Sequence, residues 1–436
     1  MTDEGRRASS YRWVLLASLW GLYVGFGFVS RSLAPLIGTI TDDLGLSRAQ
    51  MGTILGAWQL VYLFSAVPAG RLLGRIGLRW GMTIGIVLII ASGVARSAAT
   101  GWGSLFAAVA VFGLGGPMIS IGAPALVSGW FTGNERGPAT GVAVSGPVIG
   151  AVLSLSLSNS VLMPLTGERW RAVVLIHAAG AAVAAVIWLV VTARPPTDAA
   201  LPWHGGPHGE VAEAGSRHAG SKSGGPRAPS VAGSRELLRV PMVRLVLVLA
   251  IGTFFVNHAM GNWLPEMLRA SGLTAAQAGA WAALPNLLGL AGGIIVPRLA
   301  VEQRRRLVLA VCYVTMALGI LALRGDWSLL SALGLIGIGI MRSAVLPVAM
   351  VFLMDSPDVG PRNMAPAGGL YFTAGEIGGV TGPLAVGVLA TSAGFGSAQL
   401  VLALVAGALA VFVASSRSLR GAGQPPPGSN VQVGPA

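Results

Sequence analysis

The chain has 436 residues, 53% of them hydrophobic and 10% charged, with a mean hydropathy of +0.72. That balance excludes an ordinary soluble multidomain protein and points to a polytopic membrane protein. A net charge of +13 would fit a nucleic-acid partner only if the cations shared one surface, and the single cysteine, Cys312, excludes an intramolecular disulfide framework.

About twelve apolar segments, each near the ~20 residues that cross a bilayer, follow one another along the chain. They run over 12–40, 49–73, 80–99, 103–130, 137–163, 170–193, 241–268, 275–299, 306–323, 328–353, 364–391 and 396–416. The first follows Arg6, Arg7 and Arg12 and continues well beyond the ~7–15 apolar residues of a signal peptide, so it is expected to be a retained span. With the N-terminus inside, 21 of the 29 Lys and Arg fall on the inner side. Arg48, Arg96, Arg169, Arg171, Arg269 and Arg324 fall outside, and Arg31 and Arg342 lie within spans. The inner excess places both termini in the cytoplasm, so the basic balance is a topology signal and no nucleic-acid partner is expected.

Composition divides the chain into an N-terminal tail (1–11), six spans (12–193), a linker rich in Pro, Gly and Ser (194–240), six further spans (241–416) and a polar tail (417–436). His204, His208 and His218 are scattered through the linker without ligand spacing, so neither a metal nor a cofactor is expected. An ungapped offset of 227 residues lays one half on the other. FVSR (28–31) falls on FVNH (255–258), GLSRAQMG (45–52) on GLTAAQAG (272–279), and Arg71 and Arg79 on Arg298 and Arg306. A parallel repeat of six spans predicts a transporter whose cargo sits near mid-depth between the halves.

The same offset pairs Arg31 with His258, Ser30 with Asn257 and Gln59 with Asn286, each polar where an apolar residue would be cheaper. Trp58 and Tyr62, four apart, share a helix face, as do His258 and Asn262; with Tyr23, Trp263, Tyr371 and Phe372 they are candidates to shape a pocket. His177 has no counterpart of its own kind and is expected to be a packing residue. No P-loop is present, since the one lysine, Lys222, follows Ser221 in the linker, and Ser145 and His177 have no acid to complete a nucleophilic set. The chain is not expected to be an enzyme.

The stretch PAGRLLGRIGLRWG (68–81), between the second and third segments, resembles the loop motif of the major facilitator superfamily, with Gly70, Arg75, Gly77 and Arg79 matching. Gly74 stands where that motif usually has an aspartate and Leu78 replaces a basic residue, which leaves open how the family's helix latch would be built here. The resemblance implies an all-α membrane fold of two pseudo-symmetric six-helix bundles, with these four residues in a gating loop. A narrower resemblance, to cyanate permeases and 2-nitroimidazole transporters, rests on WLP (263–265), the G-x-T-x-x-x-A-G run at 272–279, PRLA (297–300) and the arginine cluster 304–306. In those proteins an arginine also precedes a proline in the first span, as Arg31 precedes Pro35.

Counted along straight helices at ~1.5 Å per residue, Arg342 and Glu376 lie at similar depth from the inner ends of the tenth and eleventh spans. The resemblance makes those spans neighbours, so the two form either a structural ion pair or a proton carrier and its release partner. No acid stands at the depth of Arg31, and a guanidinium fork matches a planar anion. The reading is a monomeric secondary transporter of a small anion, cyanate-like or a small carboxylate, in a bacterial inner membrane, proton-coupled or exchanging. Arg31 and His258 are its expected anchors. Gln59, Asn257, Asn262, Asn286, Trp58, Tyr62 and Tyr371 complete the expected site. The alternatives are an exporter of neutral or cationic drug-like compounds and a non-transporting sensor on the same fold.

Overall fold

The computed structural model describes residues 3–193, 234–354, 356 and 359–416. The expected tail 417–436 and most of the expected linker, with His204, His208 and His218, lie outside the described residues; the short helix Ser234–Leu237 leads into the second half. The first helix starts at Asp3, so most of the segment taken as an N-terminal tail is helical.

The described residues contain helices and no strands, and ten of the helices are long and apolar enough to cross a membrane. Two of the ten make a double pass. The helix Arg48–Ser97 turns back at Gly77 (φ 79°, ψ 163°) and the helix Gly360–Ser415 at Gly394 (φ 78°, ψ 171°). Both conformations belong to glycine, because a Cβ at such φ and ψ meets its own backbone. The described residues therefore make twelve passes, as the hydropathy pattern predicts. The second and third are the arms about Gly77, and the eleventh and twelfth the arms about Gly394.

The repeat is visible in the backbone. Gly45 (φ 62°) and Gly272 (φ 98°), 227 residues apart, both take the left-handed conformation and each precedes a capped helix. Ser47 accepts from the Gln50 N–H while the Gln50 side chain accepts from the Ser47 N–H, and Thr274 with Gln277 does the same. These reciprocal caps start the second and eighth spans on the same signal.

The first and tenth spans are broken, and proline is the cause. Pro35 offers no N–H to Arg31 O, so the first helix ends at Ser30 and the span resumes through Ala34–Leu36 into Ile37–Leu44. In the tenth span Pro347 acts likewise on Ser343, separating Leu329–Arg342 from Val345–Met354. Arg31 and Arg342 thus flank the C-terminal ends of two half-helices, where exposed carbonyls favour a cation.

Within each half, the first span packs on the fifth (Arg136–Leu157) and sixth (Trp170–Ala193), and the seventh (Pro241–Ala270) on the eleventh. Between the halves, the second span meets the eleventh and the fifth meets the eighth (Ala275–Leu299). Glycine permits both approaches. A Cβ on Gly52 would lie 2.7 Å from Pro383 O, one on Gly387 2.4 Å from Arg48 O, and one on Gly279 2.3 Å from Leu155 O. Polar contacts join the halves at the same end, away from the termini: Arg48 Nη1 donates to Ala390 O, Ala49 N–H to Thr391 Oγ1, and Asn159 Nδ2 to Ala275 O, while Asn159 Nδ2 also donates to Pro35 O within the first half. The halves are sealed there. Toward the termini the same helices expose large apolar groups, Phe64 at 71% and Phe372 at 46%.

Candidate functional site

At mid-depth a chain of polar side chains crosses between the halves. Arg31 Nη1 donates to Asn262 Oδ1 at 3.2 Å, and Asn262 Nδ2 donates to His258 O at 2.9 Å. Gln59 Nε2 lies 2.9 Å from His258 Nδ1; with the amide donating, Nδ1 is the bare nitrogen and the ring proton sits on Nε2. The helix period explains the grouping, since His258 and Asn262 are one turn apart on the seventh span and face the first and second spans together.

Among the described residues Arg31 has no carboxylate partner. Its guanidinium fits over Gly261, where a Cβ would lie 2.7 Å from Nη1 and 2.8 Å from Nη2. Arg342 donates from Nη2 to Asn286 Oδ1 at 3.0 Å, and its charge acts on both Arg31 and His258. Glu376 is 6% exposed and its Oε2 has no hydrogen-bond partner. A Cβ on Gly379 would meet Glu376 Oε2, Gln59 Cγ and His258 Cδ2, all within 3.3 Å, so these three groups converge on one glycine. The ion pair between Arg342 and Glu376, one of the two expectations for them, is not formed. Counting depth along a straight tenth helix overlooked its break at Ser343, and the guanidinium reaches the eighth span instead.

The remaining expected residues divide. Trp58 packs against His258 (ring centroids 5.7 Å) and Tyr62 (6.1 Å), forming an aromatic wall. The Tyr371 ring lies 6.0 Å from Phe254, which in turn lies 5.6 Å from His258; the Tyr371 hydroxyl is buried without a partner, as is Asn257 Oδ1. Trp263 is outside the site, fully buried, with Nε1 donating to Pro383 O. Tyr23 gives its hydroxyl to Ile119 O. His177 packs at 4.2 Å on the Phe28 ring and lies 3.3 Å from Ser158 Oγ, away from the polar chain.

One cation was misplaced by sequence reasoning. Arg96, assigned to the outer aqueous group, is 1% exposed inside the first half. The signal was present in its stripe: Ile89, Ser92, Gly93 and Arg96 follow at helical spacing and all four are buried. In the loop between the second and third spans, Gly77 supplies the reversal, Arg75 is exposed, Arg79 lies over the Trp80 ring at 5.0 Å, and Gly70 and Gly74 leave the backbone uncrowded.

The family model described as Major Facilitator Superfamily matches residues 19–365. The chain belongs to this superfamily. It is therefore a multi-pass membrane transporter and not an enzyme. This superfamily member is 24% identical over 441 residues to the probable galactarate/D-glucarate transporter GudP of Bacillus subtilis (strain 168), covering 92% of this chain and 90% of that one. It is 25% identical over 366 residues to a putative tartrate transporter of Agrobacterium vitis, covering 82% of each. It is also 24% identical over 403 residues to the D-galactonate transporter of Escherichia coli O6:H1, covering 87% of this chain and 89% of that one. Among solved structures, a bacterial homolog of the human lysosomal transporter Spinster superposes with a TM-score of 0.74 at 16% identity, over 95% of this chain and 99% of that one, which shows the shared fold. The relatives carry sugar-acid and tartrate names, so the superfamily resemblance holds while the narrower likeness to cyanate permeases does not extend to them.

Proposed function

We propose that the protein is a secondary transporter of small hydroxycarboxylate anions, working by alternating access in a bacterial inner membrane with both termini cytoplasmic. The observation that carries this reading is Arg31: a permanent cation between the halves, at a helix break, held by a neutral amide and by no carboxylate. A carboxylate of the cargo completes the bidentate fork. Arg342 adds a second positive charge to the site, which suits a dianion, and the amides of Gln59, Asn257, Asn262 and Asn286 offer partners to hydroxyl groups. The sugar-acid and tartrate names of the relatives agree with that class.

Glu376 is the coupling group in this proposal. Its unpartnered oxygen, beside Gln59 and His258, can take a proton when the anion arrives and release it when the anion leaves. The bundles 12–193 and 241–416 move against each other, and the loop bearing Gly70, Arg75, Gly77 and Arg79 gates the inner end. A cationic drug would meet Arg31 and Arg342 as like charges, so the exporter alternative is disfavoured.

The test is uptake into proteoliposomes of D-glucarate, galactarate, tartrate, D-galactonate and cyanate, with galactitol as the uncharged control. The proposal expects saturable uptake of at least one hydroxycarboxylate and none of galactitol. Uptake of cyanate alone, or of galactitol as readily as of the acids, would refute it.

A further inference from the structure

The break in the first span raises a question that the substrate reading does not answer, namely what holds Arg31 in place. A span interrupted inside a membrane leaves carbonyls that must find donors from neighbouring helices. At this break Ser32 N–H reaches Val29 O at 3.3 Å and Ala34 N–H reaches Arg31 O at 3.2 Å, both at the long end of the hydrogen-bond range. The short contact comes from the third span. Arg96 Nη1 donates to Val29 O at 2.7 Å and to Ser32 Oγ at 3.0 Å, and its guanidinium lies over the Phe112 ring at 5.5 Å.

We propose that Arg96 is the positioning residue for Arg31: its guanidinium caps the severed end of the first span and fixes the turn from which Arg31 projects. The assignment rests on Arg31 being the anion anchor. Three observations support it. Arg96 is 1% exposed and makes no ion pair with a carboxylate among the described residues, where the carbonyl and the hydroxyl of the break are the acceptors its charge has found. It contacts the residues on either side of Arg31 in near sequence, Val29 and Ser32, while leaving the Arg31 side chain to the other half. Its planar face is used on Phe112 while its edge is used on the break, a combination that lysine cannot reproduce.

The experiment combines hydrogen exchange with transport on the full-length protein, comparing wild type, Arg96→Lys, Arg96→Gln and Ser32→Ala. Ser32→Ala leaves the buried charge and its main acceptor in place, so it remains informative where Arg96→Gln fails to fold. Exchange is read by mass spectrometry over residues 29–36, with D-glucarate as the transport probe. Arg96→Lys and Ser32→Ala are expected to speed exchange in that peptide about tenfold, leaving peptides of the ninth and twelfth spans unchanged. They should also raise the half-saturation concentration about tenfold with the maximal rate preserved, and Arg96→Lys should be milder than Arg96→Gln. Unchanged exchange over 29–36 in Arg96→Lys, or a fall in maximal rate with unchanged half-saturation, overturns the assignment. If wild-type vesicles carry none of D-glucarate, galactarate, tartrate and D-galactonate, the substrate reading fails on its own and the exchange result still decides the cap.

Discussion

Gly261→Ala is a small perturbation with a calculable reach. The added methyl would lie 2.7, 2.8 and 2.9 Å from Nη1, Nη2 and Cζ of Arg31, whereas ordinary contact begins at 3.4 Å. The guanidinium is the free end of a long side chain, so it is the part that moves, by about 0.7 Å. Its hydrogen bond to Asn262, already 3.2 Å long, then stretches to roughly 3.9 Å, which is beyond the useful range. Loss of a hydrogen bond to a charged group corresponds to about 1.5–3 kcal/mol, and a displaced anchor weakens the bound anion by a similar amount, so half-saturation should rise roughly ten- to hundredfold. In the fold, alanine returns about 0.5–1 kcal/mol as the better helix former, which offsets only part of that lost hydrogen bond. The assay is concentration-dependent counterflow of D-glucarate in proteoliposomes, alongside thermal unfolding of the detergent-solubilised protein. Unchanged half-saturation at undiminished thermal stability would refute the placement of Arg31 over Gly261.

Gly387→Val should hold the outer seal open, since even a Cβ there would lie 2.4 Å from Arg48 O; maleimide labelling of an Ala390→Cys reporter, a position 1% exposed at the seal, in a Cys312→Ser background should rise, and equal labelling would count against the seal. Trp263→Phe removes the donor to Pro383 O inside the second half, so it should cost about 1 kcal/mol of stability while half-saturation for the anion stays the same. Glu376→Gln should abolish acid-driven accumulation while leaving anion exchange intact; acid-driven accumulation at the wild-type rate would remove Glu376 from the coupling step.

Much of the fold was legible because the bilayer imposes a length on every apolar segment, and twelve such segments became twelve passes. Two pairs of consecutive passes are each joined through a single non-helical glycine, Gly77 or Gly394, which hydropathy cannot distinguish from a loop. Gln59, His258, Asn262 and Arg31 could be named from the sequence because each is a polar residue at a depth where polarity needs a reason. Their partners were harder to assign. The repeat pairs Arg31 with His258, but the hydrogen bond runs one turn further, to Asn262, because the first helix has ended and its direction has changed. Arg342 and Arg96 show the same limit. Pro347 redirected the first toward Asn286, and the broken first span drew the second out of the aqueous group. Pro35 and Pro347 were both in the sequence, and their consequence for side chains on other helices needed the fold.

The most direct measurement of the account is D-glucarate counterflow by Arg31→Ala and Arg31→Lys beside wild type in proteoliposomes of matched protein content. A guanidinium that receives the cargo predicts no detectable flux in Arg31→Ala. It also predicts, for Arg31→Lys, a half-saturation raised at least tenfold, since an ammonium keeps the charge and loses the bidentate fork. Flux by a properly folded Arg31→Ala at the wild-type half-saturation would contradict it.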